Sequence, residues 1–170
     1  MQTIIVASAL NTLHALNRVV SLLRGRDFQI ESFAVARSER SDVARLTLVV
    51  DRSRTRPDRV ATCLDKLEEV WGVRRVERSD VVRRETALVK FLEDAVHGER
   101  VSALVGSGAA RVLERSDGAA ILEIVGAPDE VDDAIGSLPP ASILEIARPG
   151  QLVMTRGRQQ TTIAAPPARQ

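Results

Sequence analysis

The chain has 170 residues, of which 44% are hydrophobic and 28% charged, a composition typical of folded rather than disordered protein. Its 24 basic and 23 acidic residues leave a formal net charge of +1, which excludes a global field that would recruit nucleic acid or anionic lipid. The sequence shows neither a secretory signal nor an apolar stretch of membrane-spanning length, so we expect a cytoplasmic protein with no membrane partner.

Cysteine and histidine usage excludes several kinds of site. Cys63 is the single cysteine, which rules out intrachain disulfides and thiolate metal sites, and its helical core spacing predicts a buried, inert thiol. The two histidines, His14 and His97, form no paired metal-ligand motif. We therefore expect no metal site.

Hydrophobic periodicity predicts the order β-α-β-β-α-β in the first half of the chain. This order is the pattern of a ferredoxin-like sandwich, in which two helices cover one face of an antiparallel sheet. The predicted elements are a strand at 2–9, a helix that ends at Gly25, strands at 28–37 and 43–50, a helix from Pro57 to Gly72, and a strand at 73–82.

The same order begins again in the second half. An internal repeat at this scale indicates two small α+β domains, with boundaries expected at 1–82 and 83–157 and a flexible tail at 158–170. The predicted elements are a strand at 85–93, a helix at 95–105, a hairpin at 109–126 that turns at Asp117-Gly118, a helix at 128–138, and a strand at 141–148.

The strand at 28–37 carries apolar side chains suited to both faces of a sheet. Alternation along the strand predicts that Phe33 and Val35 face opposite to Ile30 and Ala34. Something must therefore cover the second face, and a second copy of the chain or a larger partner would do so.

Candidates for catalytic chemistry are few. The "GSG" at 106–108 precedes a predicted strand, whereas phosphate loops open a helix, so we interpret it as a connector. The pairs Glu68/Glu69 and Asp132/Asp133 are expected on solvated helix faces. One tryptophan, three phenylalanines and no tyrosine make a poor platform for stacking RNA bases. The sequence favours a protein that binds and regulates.

The corner between the first strand and the first helix is the best candidate binding site. Helix N-termini present unpaired N–H groups and the positive end of the helix dipole, which together can hold a carboxylate. Asn11 would cap the helix through its side chain, or its amide would also meet the head group of a small amino acid. Composition does not choose between these two roles.

The stretch "ALNTLHALNRVVSLLRGRDFQIESFAVA" closely resembles the start of the small regulatory subunit of acetolactate synthase. Members of that family read N-x-x-G-x-L-x-R-V, followed by Y-N-I-E-S-L-x-V. The resemblance continues through "ARLTLVV", "LDKLEEVWGVRRV" and "RRETALVKF" to "ILEIARPGQLVMTRG", about residues 2–157. The matching positions are Asn11, Leu16, Arg18, Val19, Ile30, Glu31, Ser32 and Val35.

The resemblance implies two tandem ferredoxin-like domains, the first an ACT domain that pairs with its twin and binds valine at the interface. It implies a non-catalytic subunit that activates a large thiamine-diphosphate enzyme and conveys feedback in branched-chain amino-acid synthesis. Thiamine diphosphate, magnesium and flavin then belong to the large subunit, and no cofactor is expected here. The effector residues would be Asn11, His14, Ala15 and Leu16 from one chain, with Gln29 and Ile30 from its twin.

Two departures from the family pattern fall at this effector site. His14 replaces the family glycine, and its Cβ and ring would crowd a ligand carboxylate. Gln29 replaces the family asparagine and carries its amide one methylene further out, while Phe28 stands in for the tyrosine. We therefore expect valine to bind weakly or not at all, or a different ligand to bind.

Other functions stay open at this point. One is an accessory subunit of a diverged thiamine-diphosphate carboligase in specialised metabolism, for which escape from valine control would be useful. Another is a free-standing amino-acid sensor without a catalytic partner. An independent enzyme is the least favoured of these.

Overall fold

The structure is a computed structural model that describes residues 2–95 and 98–162. The chain is divided into two compact units, of which the first comprises Met1–Val82 together with Val153–Gln170, and the second Arg83–Leu152. The chain from Val153 onward groups with the first unit, whereas residues up to 157 were expected in the second.

The first unit contains a four-stranded antiparallel sheet in the order β2-β3-β1-β4, as expected for a ferredoxin-like fold. Both helices pack on one face, where they bury apolar side chains from β1 and β3 such as Ile5 and Leu48. The elements are β1 (Gln2–Leu10), α1 (Leu13–Gly25), β2 (Ile30–Arg37), β3 (Val43–Asp51), α2 (Pro57–Leu64) and β4 (Val70–Val76).

The second unit repeats this topology in the order β6-β7-β5-β8. The predicted hairpin is confirmed, because Asp117 and Gly118 form its turn with φ of 52° and 74°, the pair of positive values that a tight two-residue turn requires. The elements are β5 (Val81–Leu92), α3 (Glu99–Gly106), β6 (Ala110–Ser116), β7 (Ala119–Gly126), α4 (Pro128–Ser137) and β8 (Ile143–Ala147). A last strand, β9 (Leu152–Thr155), pairs with β5.

The predicted helix from Pro57 to Gly72 is too long. Helix α2 ends at Leu64, and Val70 and Trp71 begin β4, where they pair with Ala9 and Ser8 of β1. Their spacing matched a helical period only by coincidence. The strand expected at 73–82 is likewise divided between β4, a short 3-10 turn and the start of β5.

The predicted alternation along β2 is wrong for Ile30. A bulge lies between Ile30 and Ser32, where one extra residue shifts the register against β3. Ile30 and Phe33 therefore both pack against the helix-covered core, although alternation placed them on opposite faces.

The second face of the first sheet is partly covered by the chain itself. Ile4, Val6 and Val76 from this face form a buried cluster with Val81 and Val153. The Arg45 guanidinium also donates a hydrogen bond to the Val153 carbonyl. No second copy is needed to cover this cluster.

Two further expectations differ from the structure. Cys63 is half-buried, whereas a buried thiol was predicted. Within the predicted tail, Thr161 and Thr162 are buried, and residues from 163 on lie outside the described residues.

Candidate functional site

The corner between β1 and α1 is closed by Thr12. Thr12 has extended backbone angles, φ −129° and ψ 148°, and its Oγ1 accepts the Ala15 N–H at 3.2 Å. The N-cap is therefore Thr12 and not Asn11, because the chain enters the helix one residue later than expected. The first-turn N–H groups left to face a ligand are those of Leu13 and His14.

Asn11 connects the corner by hydrogen bonds to the turn between β2 and β3. Its backbone N–H donates to the Asp42 carbonyl at 2.8 Å, and its Nδ2 donates to the Ser41 carbonyl at 2.9 Å. That turn is itself braced by Arg40, which donates two hydrogen bonds to Asp42 at 3.0 and 2.6 Å and holds the pKa of Asp42 below its ordinary value. Asn11 is exposed, so its amide lies at the surface of a fixed corner.

The three helical residues of the predicted site differ in accessibility. The His14 side chain is 74% exposed, Ala15 is fully buried, and Leu16 is half-buried against the first core. Only His14 presents a side chain to a ligand there. Leu13 beside it is 86% exposed.

Glu69 is a residue of this corner that sequence reasoning missed. It precedes β4 rather than lying on a helix face, and only 9% of it is exposed. Its carbonyl accepts the Leu10 N–H at 2.9 Å, and its Oε1 lies 3.0 Å from Nη1 of Arg18 and 3.6 Å from Nε2 of His14. The prediction of a solvated carboxylate was wrong because it rested on a helix that ends before Glu69.

Gln29 and Ile30 lie at the other end of the sheet. Ile30 pairs with Val50, which pairs with Thr3 of β1, whereas the corner begins after Leu10. Leu10 lies seven residues beyond Thr3 along β1, a span of roughly 23 Å. Within one chain, the two groups of predicted site residues are therefore not brought together.

Gln29 is exposed, and its contacts are local. Its backbone N–H donates to Thr55 Oγ1 at 2.8 Å, and its Nε2 donates to Asp27 Oδ1 at 3.3 Å. Phe28, next to it, packs into the first core. The Gln29 amide therefore lies at the surface, and within the described part of the chain it makes one hydrogen bond, the 3.3 Å bond to Asp27.

Over residues 2–95 and 98–162, no group of three or more His, Cys, Asp or Glu side chains is arranged to hold a metal ion. His97 lies outside these residues. None of the helices in the part of the chain that the structure describes is long and apolar enough to cross a membrane.

Known proteins resemble the chain over both units. A family model described as the small subunit of acetolactate synthase matches residues 84–157, and one described as the AHAS small subunit-like ACT domain matches residues 8–72. The chain is 32% identical to the acetolactate synthase small subunit of Mycolicibacterium smegmatis over 84% of both chains. It is 29% identical to that of Bacillus subtilis over 94% of both chains.

A solved structure resembles the whole fold. The crystal structure of the acetolactate synthase small subunit from Thermotoga maritima superposes with a TM-score of 0.82 at 28% identity, and the match covers 94% of this chain and 99% of that one. The sequence similarity, the order of the elements and both family models point to the same family. The chain belongs to the family of acetolactate synthase small subunits, regulatory subunits whose N-terminal unit is an ACT domain.

Proposed function

We propose that this chain is a non-catalytic regulatory subunit that binds a large thiamine-diphosphate-dependent acetolactate synthase subunit and raises its activity. Thiamine diphosphate, magnesium and flavin would be held by that large subunit. The names of its relatives support this role, since each is a small subunit of the same enzyme. The chain would then act in branched-chain amino-acid synthesis by binding rather than by bond making.

We further propose that two copies pair through their β2 strands. β2 is an edge strand of the first sheet, so its outer hydrogen-bonding groups face away from β3. Antiparallel pairing of two such edges sets the Ile30 end of one copy beside the Arg37 end of the other. Arg37 pairs with Ala44, next to the turn to which Asn11 is hydrogen-bonded, so the Arg37 end of β2 lies near the corner. Each corner would therefore receive Gln29 and Ile30 from the twin.

The observation that carries this proposal is the distance between the two groups of site residues within one chain. A single chain leaves Asn11 and His14 at one end of the sheet and Gln29 and Ile30 at the other. With a two-fold axis at the β2 edge, Asn11 and His14 of each copy would lie beside Gln29 and Ile30 of the other copy, which gives two complete sites. In each, backbone N–H groups of Leu13 and His14 would receive the carboxylate of a small amino acid.

Valine is expected to bind weakly at this site. His14 adds a Cβ and a ring where glycine would leave space, and the Gln29 amide must leave Asp27 before it reaches a ligand. The response to valine would be weak or absent, or another ligand would be sensed. An effector regulates only through its different affinities for the two states of the complex.

Reconstitution with the large subunit tests the function. We expect a stable complex and a rise in turnover on mixing, with little change when valine is added. Failure to associate with, or to activate, the large subunit would contradict the proposal and favour a free-standing sensor. Calorimetry that gives valine a Kd tighter than about 1 mM, roughly 4 kcal/mol of binding free energy, would contradict the weak-valine part.

The departures at His14 and Gln29 also favour a second candidate, an accessory subunit of a diverged carboligase in specialised metabolism. Such an enzyme would gain from escape from valine control. Substrate profiling of the reconstituted pair separates the two, because the leading proposal requires pyruvate to be joined to a second 2-keto acid.

A further inference from the structure

We propose that Glu69 is a positioning residue of the effector site, which holds the His14 ring away from the side of the corner where the twin chain would dock. This inference rests on the effector site proposed above. A ring held on the side of Glu69 obstructs the site less than a freely rotating ring, although its Cβ still narrows the space left for valine.

The corner has one side next to β3 and another side next to β4. In the strand order β2-β3-β1-β4, β1 has β3 on one side and β4 on the other. Asn11 reaches to the β3 side, where it contacts Ser41, whereas Glu69 lies on the β4 side through its bond to Leu10. β2 and the twin lie beyond β3, so a ring that points to Glu69 points away from them.

The His14 ring lies on the β4 side of the corner. Its Nε2 lies 3.6 Å from Glu69 Oε1 while 74% of its side chain stays exposed. Among the described residues, Glu69 is the charged partner that the structure gives this largely exposed ring. Without a partner, an exposed imidazole would exchange among its rotamers and cover the first-turn N–H groups in some of them.

Glu69 is suited to hold a mobile ring because it is itself fixed. Its side chain is only 12% exposed, and the Arg18 guanidinium binds Oε1 at 3.0 Å from one helical turn beyond His14. Among the described residues its second oxygen, Oε2, is buried without a hydrogen-bond partner. The contact with the His14 ring is made by Oε1, the oxygen that Arg18 also binds, and at 3.6 Å it is an electrostatic contact rather than a hydrogen bond.

The first test observes the ring directly and needs no effector. The chain has two histidines, so histidine-labelled protein gives two sets of imidazole signals. We expect Glu69→Gln to shift one set, which His14→Gly identifies by removing it. Asp58→Asn, which neutralises another carboxylate of the first unit in a 2.6 Å ion pair with Arg75, should leave that set unchanged. Unchanged His14 signals in Glu69→Gln overturn the proposal.

The second test measures binding of valine, leucine and isoleucine, titrated to tens of millimolar, in the full-length chain. We expect Glu69→Gln to weaken binding by about fivefold or more, the lower end of ordinary site coupling. In the His14→Gly background the same Glu69→Gln change should alter affinity less than about twofold, because no ring is left to position.

The outcomes separate this proposal from the one it rests on. If neither the native chain nor His14→Gly binds any of the three amino acids, the effector site itself is wrong. If His14→Gly binds and the native chain does not, the anchored ring is itself the obstruction and the role of Glu69 is overturned. Equal effects of Glu69→Gln in both backgrounds overturn it too.

A folding control accompanies both tests. Thermal unfolding followed by the fluorescence of Trp71, the single tryptophan, reports whether each variant keeps the first unit folded. Glu69→Asp is the second variant, since it keeps the charge but withdraws the carboxylate by one methylene. We expect it to weaken effector binding as Glu69→Gln does, and native-like binding by a folded Glu69→Asp chain contradicts the proposal.

Discussion

Arg148 donates two hydrogen bonds to the Glu85 carboxylate within the second unit. Its Nε lies 2.9 Å from Oε1 and its Nη2 lies 2.8 Å from Oε2, while its Nη1 donates to Asp132 at 2.6 Å. Glu85 is 5% exposed, so its charge has been taken out of water and is compensated chiefly by this guanidinium. The hydrogen bond from Arg148 to Glu85 is the largest cause of a raised Arg148 pKa.

Arg148→Met should destabilise the second unit by about 3 kcal/mol, because it leaves a buried carboxylate without its counter-charge. Urea unfolding followed by circular dichroism measures the change in unfolding free energy. The matched control is Arg111→Met, whose partner Glu123 and own side chain are more exposed, and it should cost at most about 1 kcal/mol. Equal losses in the two variants would show that the Glu85 contact has no special weight.

Thr12→Ala should destabilise the first unit by about 1 kcal/mol. The hydroxyl accepts the Ala15 N–H, and that donor loses its partner in the variant. Unfolding monitored through Trp71 fluorescence gives the change. Thr12→Ser keeps the oxygen and should stay close to the native chain, so a loss in Thr12→Ser as large as in Thr12→Ala would argue against capping as the cause.

Asp51 should make the stability of the first unit fall in acid. The Ser53 hydroxyl and N–H donate to its carboxylate at 2.6 and 2.9 Å and lower its pKa below the ordinary 3.8. A carboxyl group with a depressed pKa in the folded chain contributes stability above its unfolded pKa, and that contribution is lost as the pH falls through the folded value.

The thermal midpoint should therefore decline below about pH 4, and less steeply in Asp51→Asn. Ser53→Ala removes one of the two donors and should flatten the decline in part. A decline as steep in Asp51→Asn as in the native chain would place the acid sensitivity in other carboxylates. Trp71 fluorescence during thermal scans across acid pH provides the measurement.

Val153→Ala should destabilise the first unit, although it lies far along the chain from β1. Val153 is 3% exposed in the cluster with Ile4 and Val6, and loss of its buried methyl groups should cost about 1–3 kcal/mol. Met154→Ala is the control, since Met154 is 64% exposed. A Trp71 unfolding transition that does not move in Val153→Ala would show that the cluster does not support the sheet.

Local signals in the sequence were sufficient for the element order and for the second hairpin. Asp117-Gly118 between two apolar runs specifies a tight turn from two residues, and the structure has that turn. The repeated β-α-β-β-α-β order then predicted four strands of each sheet, because short connections leave few other topologies, but it did not predict β9, which pairs with β5. The passage from a strand into a helix near Asn11 and His14 was also predicted and is confirmed, whereas effector binding there stays a prediction.

Features set by distant contacts were missed. Leu67 and Val70 continued a helical period by chance, and only pairing with Ala9 assigns Val70 to a strand. The same error hid Glu69, because its burial depends on Leu10 and Arg18 and has no local signature. The bulge after Ile30 likewise arises from register against β3 and not from β2 alone.

The return of the chain at Val153 to the first unit has a consequence for synthesis. A nascent chain leaves the ribosome from its N-terminus, so every residue of the second unit is available before the segment that completes the first. The unit that is synthesised first is therefore completed last, because Ile4, Val6 and Val76 stay uncovered until Val153 has been synthesised. A premature stop codon just upstream of Val153 would leave Ile4, Val6 and Val76 of the earlier unit without this cover, and it would also remove most of β9, which pairs with β5.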